Sequence, residues 1–401
     1  VILEDFYSEL ADFKVFGTST SVRDLTGPSK ERISVFTNEF WTSKQRAASS
    51  LHEVSYRACF KPQLPRFFIE RLTEPRDLVY DPFMGRGTTV LEAALLGRRA
   101  AGCDVNPLSS VLVAPRLDPS NLEAVQTRLH KIDWNFGGRL PEELLAFYHP
   151  DTLRQICALR EELRRNRSPA DAWIRMVATN RLTGHSKGFF SVYTMPPNQA
   201  VSIKSQLRIN QCRNQTPEAR DVPTIVIAKT ASLLSRISRA EREMLLEFGR
   251  SSILMTGSSV QTPTLQDEKV SLIVTSPPFL DVVDYETDNW LRCWFNSIDT
   301  KSVRLWITGR VAEWSRTLTA VFRELHRVLR RRGLIAFEVG EVRGGKLLLE
   351  NIVIPAAEDA GLKAVLILVN QQKFTKTSNC WGVSNMGKGT NTNRIVLLQK
   401  P

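Results

Sequence analysis

The stretch "RDLVYDPFMGRGTTVLEAALLGRRAAGCD", residues 76–104, constrains the fold of this chain more than any other. Leu78, Val79 and Tyr80 make a short apolar run that predicts a buried strand. Gly85 and Gly87 punctuate a loop, and "TTVLEAALLG" has helical spacing with Gly97 as its stop signal. "RAAGCD" then predicts a second strand. Strand, glycine loop, helix and strand in that order predict a parallel α/β sheet. The two glycines let backbone approach a ligand closely, and the helix that follows offers free N–H groups and the positive end of its dipole. Asp104 ends the second strand, 17 residues after Gly87, where an acid in nucleotide-binding α/β folds takes the ribose hydroxyls. No Gly-Lys-Ser/Thr ending follows, which argues against a phosphate loop. Alone, the Gly-x-Gly would be an ordinary tight turn; the strand-end acid is what adds a ligand.

The pattern resumes far downstream. "SSILMTG" and "VSLIVT" read as strands, and the charged helix "AEWSRTLTAVFRELHRVLRR" leads into "GLIAFEVGEV", "LKAVLILVNQQ" and "NRIVLLQK". Between the second and third strands lie roughly 130 residues of a different character. From about 118 to 180 they are helical, then comes the polar, aromatic-studded "HSKGFFSVYTMPPNQ", and one further helix is predicted over about 223–248. The first 50 residues are polar and mixed, with little firm periodicity.

"VSLIVT" runs directly into "TSPPF", residues 275–279. Two prolines cannot continue a ladder, because each lacks an N–H and fixes φ. A strand ending in a turn would explain them. So would a backbone that stops pairing in order to grip a ligand.

Taken together, "DPFMGRGTT" and "TSPPF" resemble the S-adenosylmethionine-binding and catalytic motifs of the DNA amino-methyltransferases. "SYRACFKPQLPRFFIERL" resembles the family segment that closes over the methionine moiety, and "ILMTGSS" its third-strand motif. The resemblance spans about 50–116 and 250–399. It implies a Rossmann-like seven-stranded methyltransferase sheet, formed by residues 1–116 and 251–401, with 117–250 inserted as a helical lobe for target recognition. In the family the catalytic tetrapeptide is Asp, Asn or Ser, then Pro-Pro and an aromatic residue, and the Ser form is associated mainly with cytosine-N4 methylation. Catalytic roles are thereby implied for Ser276, Pro277, Pro278 and Phe279. Cofactor contacts are implied for Asp81, Pro82, Phe83, Gly85, Gly87, Thr88, Asp104, Ser258 and Thr275. Ser258 stands where the family usually places an acid.

The chemistry matches the residues. An exocyclic base amine is a poor nucleophile because its lone pair is delocalised into the ring. Hydrogen bonds accepted from its N–H groups by Ser276 Oγ and the Pro277 carbonyl would favour a pyramidal nitrogen. Phe279 offers a face for an extruded base. Adenine-N6 methylation uses the same acceptor geometry, and a catalytically dead DNA-binding scaffold is the alternative of another class. A carbon-5 mechanism is disfavoured, because no Pro-Cys dipeptide occurs.

Charge points to the partner. The net charge is +12, of which residues 151–250 hold +8, from 17 Lys/Arg against 9 Asp/Glu. No acid occurs between Asp171 and Glu218. Duplex DNA is the expected polyanion, contacted by Lys187, Lys204 and Arg208 at phosphates and by Asn198 and Gln199 at base edges, with Tyr285 beside the base. A solvated basic face accounts for the charge alone equally well. A cognate restriction endonuclease is the implied functional partner. Six singly scattered cysteines and no Cys-x-x-Cys pair predict no metal site and a reducing compartment. With acids at its start and no apolar run near the ~18–20 residues of a membrane span, the chain is expected to be cytoplasmic.

Overall fold

The computed structural model describes residues 2–27, 31–42, 48–56, 59–195, 200–278, 285–303, 310–339, 341–342, 347–371 and 392–401. Its centre is a nine-stranded sheet. In chain order the strands are β1 (Ser21–Thr26), β2 (Arg32–Asn38), β3 (Leu78–Asp81), β4 (Arg99–Asp104), β5 (Ile253–Thr256), β6 (Val270–Thr275) and β7 (Leu329–Val339). A small ribbon, β8 (Glu341–Val342) and β9 (Leu347–Leu348), precedes β10 (Lys363–Gln371) and β11 (Thr392–Gln399). The sheet order is β1-β2-β10-β11-β7-β6-β3-β4-β5.

From β5 to β7 all pairings are parallel, and β11 runs antiparallel between β7 and β10. Those seven strands are the expected Rossmann-like methyltransferase sheet. The other two were not expected. Residues read as polar and mixed form α1 (Ile2–Asp12) and add β2 in parallel to β10, with β1 antiparallel outside it. β1 is exposed along its whole length, so it carries no alternating pattern to read. Asn370 stitches this extension on, its Oδ1 accepting from the Phe40 N–H at 2.7 Å and the Trp41 N–H at 3.2 Å.

Alternation along the strands sends side chains into two cores. Val79, Leu272, Val274 and Leu368 face one side, with α2 (Gln63–Leu72), α3 (Thr88–Leu95) and α4 (Pro107–Leu117). Tyr80, Ile273, Ile335 and Ile367 face the other. The inserted residues form α5 (Leu122–His130), α6 (Pro150–Arg165), α7 (Pro169–Arg181), α8 (Ile203–Arg213), α9 (Val222–Leu234) and α10 (Arg239–Met244). Where one helix was expected over 223–248 there are two. Ser238 and Glu241 form a capping box that restarts the chain at α10. The insertion has no core of its own: Leu153, Trp173 and Val226 belong to the same apolar cluster as Val79 and Val90.

The remaining helices are α11 (Tyr285–Asn296), α12 (Val311–Val328) and α13 (Glu350–Glu358). On α12, Trp314, Leu318, Val321 and Leu325 recur at helical spacing and cover the second face of the sheet.

Candidate active site

A cavity of about 470 Å³ opens at the carboxyl ends of β3, β4, β5 and β6. Ligands of open parallel sheets bind at this end, and the volume lies within the range of small-molecule sites.

The glycine loop forms its floor. Gly85 has φ +48° and Gly87 φ +72°, conformations that disfavour a side chain. The Gly85 N–H donates to Asp104 Oδ2 at 2.9 Å, and the Asn106 N–H donates to Oδ1 at 2.8 Å. Counting the Ser109 hydroxyl as well, three donors leave the carboxylate a lone-pair direction for a ligand hydroxyl. Burial raises the pKa of the Asp104 carboxyl. The two glycines differ in purpose. Gly85 lines the cavity beside Tyr56, whereas a Cβ on Gly87 would stand 2.5 Å from Val113. Gly87 therefore serves helix packing as the left-handed residue that starts α3.

Asp81, at the end of β3, is buried, which pushes its carboxyl up to about 7 against hydrogen bonds from Thr275 Oγ1 (2.6 Å) and the Phe83 N–H. Of the sequence-assigned cofactor residues, Asp81, Phe83, Gly85, Thr88, Asp104 and Ser258 line the cavity. Pro82, Gly87 and Thr275 stand behind it. The Pro82 carbonyl accepts from Ser259 Oγ, which fixes the β3 loop against the residues after β5. Ser258 is exposed at the rim.

Ser276 and Pro278 line the same cavity, and Pro277 is buried between them. Phe279, Asn198 and Gln199 lie outside the described residues, as does the side chain of Tyr285. Two residues unassigned by the sequence support the proline turn. Trp314 Nε1 donates to the Pro278 carbonyl at 3.1 Å. Glu338, near the end of β7, receives hydrogen bonds from Ser276 and from Asn393 Nδ2, and burial pushes its carboxyl up to about 7. Its position is legible in "AFEVG", where an acid interrupts an apolar strand. No sequence signal pairs it with Ser276.

Lys187, Lys204 and Arg208 are exposed, the last two on α8. The chain entering α8 reaches the helix after the proline turn. The Ala200 N–H donates to the Asp288 carbonyl at 3.2 Å, and Trp290 Nε1 to the Val201 carbonyl at 3.3 Å. Other parts of the basic segment are packing groups. Arg181 is stacked 4.0 Å over Phe189, and Phe190 is wholly buried. Asp288 is buried on α11. Among the described residues no cluster of His, Cys, Asp or Glu is arranged to hold a metal ion, and no helix is long and apolar enough to cross a membrane.

A family model described as DNA methylase, of the N6/N4 type, matches residues 8–109, the segment that builds β1 to β4 and the glycine loop. Type II methyltransferase M.BsoBI of Geobacillus stearothermophilus is 22% identical over 383 residues, 79% of this chain and 71% of that protein. Type II methyltransferase M.MvaI of Kocuria varians is 24% identical over 252 residues, 56% of this chain and 52% of that one. A shorter match, 40% over 73 residues, joins 17% of this chain to 28% of Type II methyltransferase M1.MboII of Moraxella bovis. The glycine loop and the proline turn thus face one cavity, and the loop lies within the segment of this chain that matches the N6/N4 DNA methylase model.

Proposed function

We propose that this protein methylates the N4 amine of cytosine in duplex DNA, within a short recognition sequence, with S-adenosylmethionine as donor. The observation that carries the reading is that Ser276 and Pro278 line the cavity bounded by Gly85 and Asp104. Acceptor chemistry and nucleotide-binding chemistry thus share one space.

The cavity suits the donor. Asp104 retains a lone-pair direction for a ribose hydroxyl, Asp81 offers a carboxyl toward an amino group, and the open side of Gly85 admits a ligand against the loop. When bound, S-adenosylmethionine supplies an electrophilic methyl group. The chain's own residues then do the rest. Ser276 Oγ donates its proton to Glu338 and so keeps its lone pairs for an amine N–H. Trp314 holds the Pro278 carbonyl, which fixes the turn so that the Pro277 carbonyl stays available as second acceptor. Phe279 is the proposed stacking face for the extruded base. The insertion, residues 117–250, is the proposed DNA-binding region, with Lys187, Lys204 and Arg208 on phosphates and Asn198, Gln199 and Tyr285 toward bases. A restriction endonuclease of matching specificity is its functional counterpart, and the cytoplasm its compartment.

Serine before Pro-Pro favours cytosine over adenine. Mass spectrometry of nucleosides from DNA treated with the protein and S-adenosylmethionine tests this. N4-methylcytosine is expected. N6-methyladenine would move the reading to the adenine branch, and no methylated base would overturn both.

A further inference from the structure

The glycine loop carries a cation that neither motif accounts for. Arg86, between Gly85 and Gly87, is 5% exposed yet lines the cavity. Its Nε donates to Thr88 Oγ1 at 3.2 Å. Nη1 donates to the carbonyls of His52 (3.2 Å) and Val54 (3.0 Å), and Nη2 to that of Phe60 (3.3 Å). Four acceptors meet five N–H donors, so one N–H of Nη2 is left over. Directly behind stands Arg116, fully buried, which donates to the Leu112 carbonyl at 2.8 Å, the Leu51 carbonyl at 3.2 Å and the Arg86 carbonyl. Neither guanidinium pairs with a carboxylate among the described residues.

Two adjacent buried cations without a counter-ion are costly, since carbonyl dipoles satisfy hydrogen bonds but leave the charge. The cost is visible in Arg116, which burial and the Arg86 charge push down to about 9, and in Lys61, which burial and Arg86 also lower. The cavity's carboxyls do not relieve it. Asp81 takes its bonds from Thr275 and Phe83, and Asp104 from Gly85 and Asn106. The cavity is thus bipolar, with carboxyls at the ends of β3 and β4 and cations where residues 51–56 and 59–61 meet the loop.

We propose that Arg86 binds the carboxylate of the donor's amino-acid end, which supplies the missing counter-charge. This rests on the reading that the cavity takes S-adenosylmethionine. The same bonds explain why Tyr56 and Phe60 line the cavity: Arg86 ties down the carbonyls of the segment that carries them.

The test is calorimetric binding, without DNA, of S-adenosylmethionine and its decarboxylated analogue. A charge-assisted hydrogen bond corresponds to a preference of roughly 10- to 100-fold for the native donor. Arg86→Gln should bring that ratio close to one, and Arg86→Lys should retain part of it. Arg116→Lys, which does not reach the cavity, should change both affinities together and leave the ratio intact. A parent protein that binds both compounds equally overturns the proposal without any variant. So does an Arg86→Gln protein that keeps the parent ratio. If the parent binds neither compound, the donor assignment itself fails.

Discussion

Thr275 Oγ1 donates to Asp81 Oδ1 at 2.6 Å, joining the last residue of β6 to the last residue of β3. The glycine loop and the proline turn each begin one residue beyond this bond. Thr89 Oγ1 adds a second tie, donating to the Val274 carbonyl at 2.9 Å. Thr275→Val should therefore destabilise the fold in a pH-dependent way. The Asp81 carboxyl titrates near 7, so at pH 8 the lost bond is one to a carboxylate, worth about 1.5–3 kcal/mol. At pH 5.5 the carboxyl is protonated in the folded protein and the loss should be smaller. Urea unfolding at the two pH values measures the difference.

Ser276→Ala and Pro277→Ala should lower methyl transfer by roughly 10²- to 10³-fold, the effect of removing a positioned polar group acting in the transition state. Donor affinity should stay near that of the parent. Near-normal turnover in Ser276→Ala would sink the assigned role.

Glu338 gives that role a pH signature. Its folded pKa is raised to about 7, so below that value it is protonated and a poorer acceptor for the Ser276 hydroxyl. Transfer should fall as pH drops through about 7, and Glu338→Gln should flatten that limb of the profile. Stability runs the other way. A raised carboxyl pKa costs stability as pH rises from the unfolded value toward 7, by about 1.4 kcal/mol per pH increment of one across that interval. Glu338→Gln should accordingly be more stable than the parent at pH 8 and similar at pH 4. An unchanged profile together with unchanged stability would remove Glu338 from the account.

Gly85→Val and Asp104→Ala address the proposed donor site. The first puts a branched side chain at φ +48° against Tyr56, and the second removes the acceptor of the Gly85 and Asn106 N–H groups. Both should weaken S-adenosylmethionine binding in calorimetry. Parent-like affinity in both would move the site elsewhere.

Replacing Lys187, Lys204 and Arg208 together by Gln should weaken binding to every duplex sequence. Each lost phosphate contact should flatten the dependence of log affinity on log salt by about one. Changing Asn198 or Gln199 should instead alter preference among sequences, with about 1–3 kcal/mol at stake for a bidentate contact. Anisotropy on matched and mismatched duplexes across salt concentrations separates the two. An unaltered slope in the triple variant would make the basic run a solvated surface.

The parts of this cavity whose local structure was legible in the sequence are contiguous ones. Strand, loop, helix and acid from Leu78 to Asp104 lie within 27 residues, and Ser276 to Pro278 are contiguous. What escaped depends on sheet order. Glu338 meets Ser276 because β7 lies beside β6, and Trp314 meets Pro278 from a helix 36 residues on. Arg86 was hidden differently, since its partners are carbonyls and any sequence supplies those. β1 escaped because it buries neither face.

The single apolar cluster shared by Trp173, Val226 and Val90 has a consequence for how such enzymes acquire new targets. A recogniser with its own core can be exchanged like a cartridge. Here, cutting at residues 117 and 250 would strip the sheet of its cover and leave the graft with half an interior. Under the proposed recognition role of the insertion, new specificity would come from outward substitutions on α8 and its neighbouring loops, with the helices beneath inherited whole. Heating should correspondingly melt insertion and sheet in a single calorimetric transition.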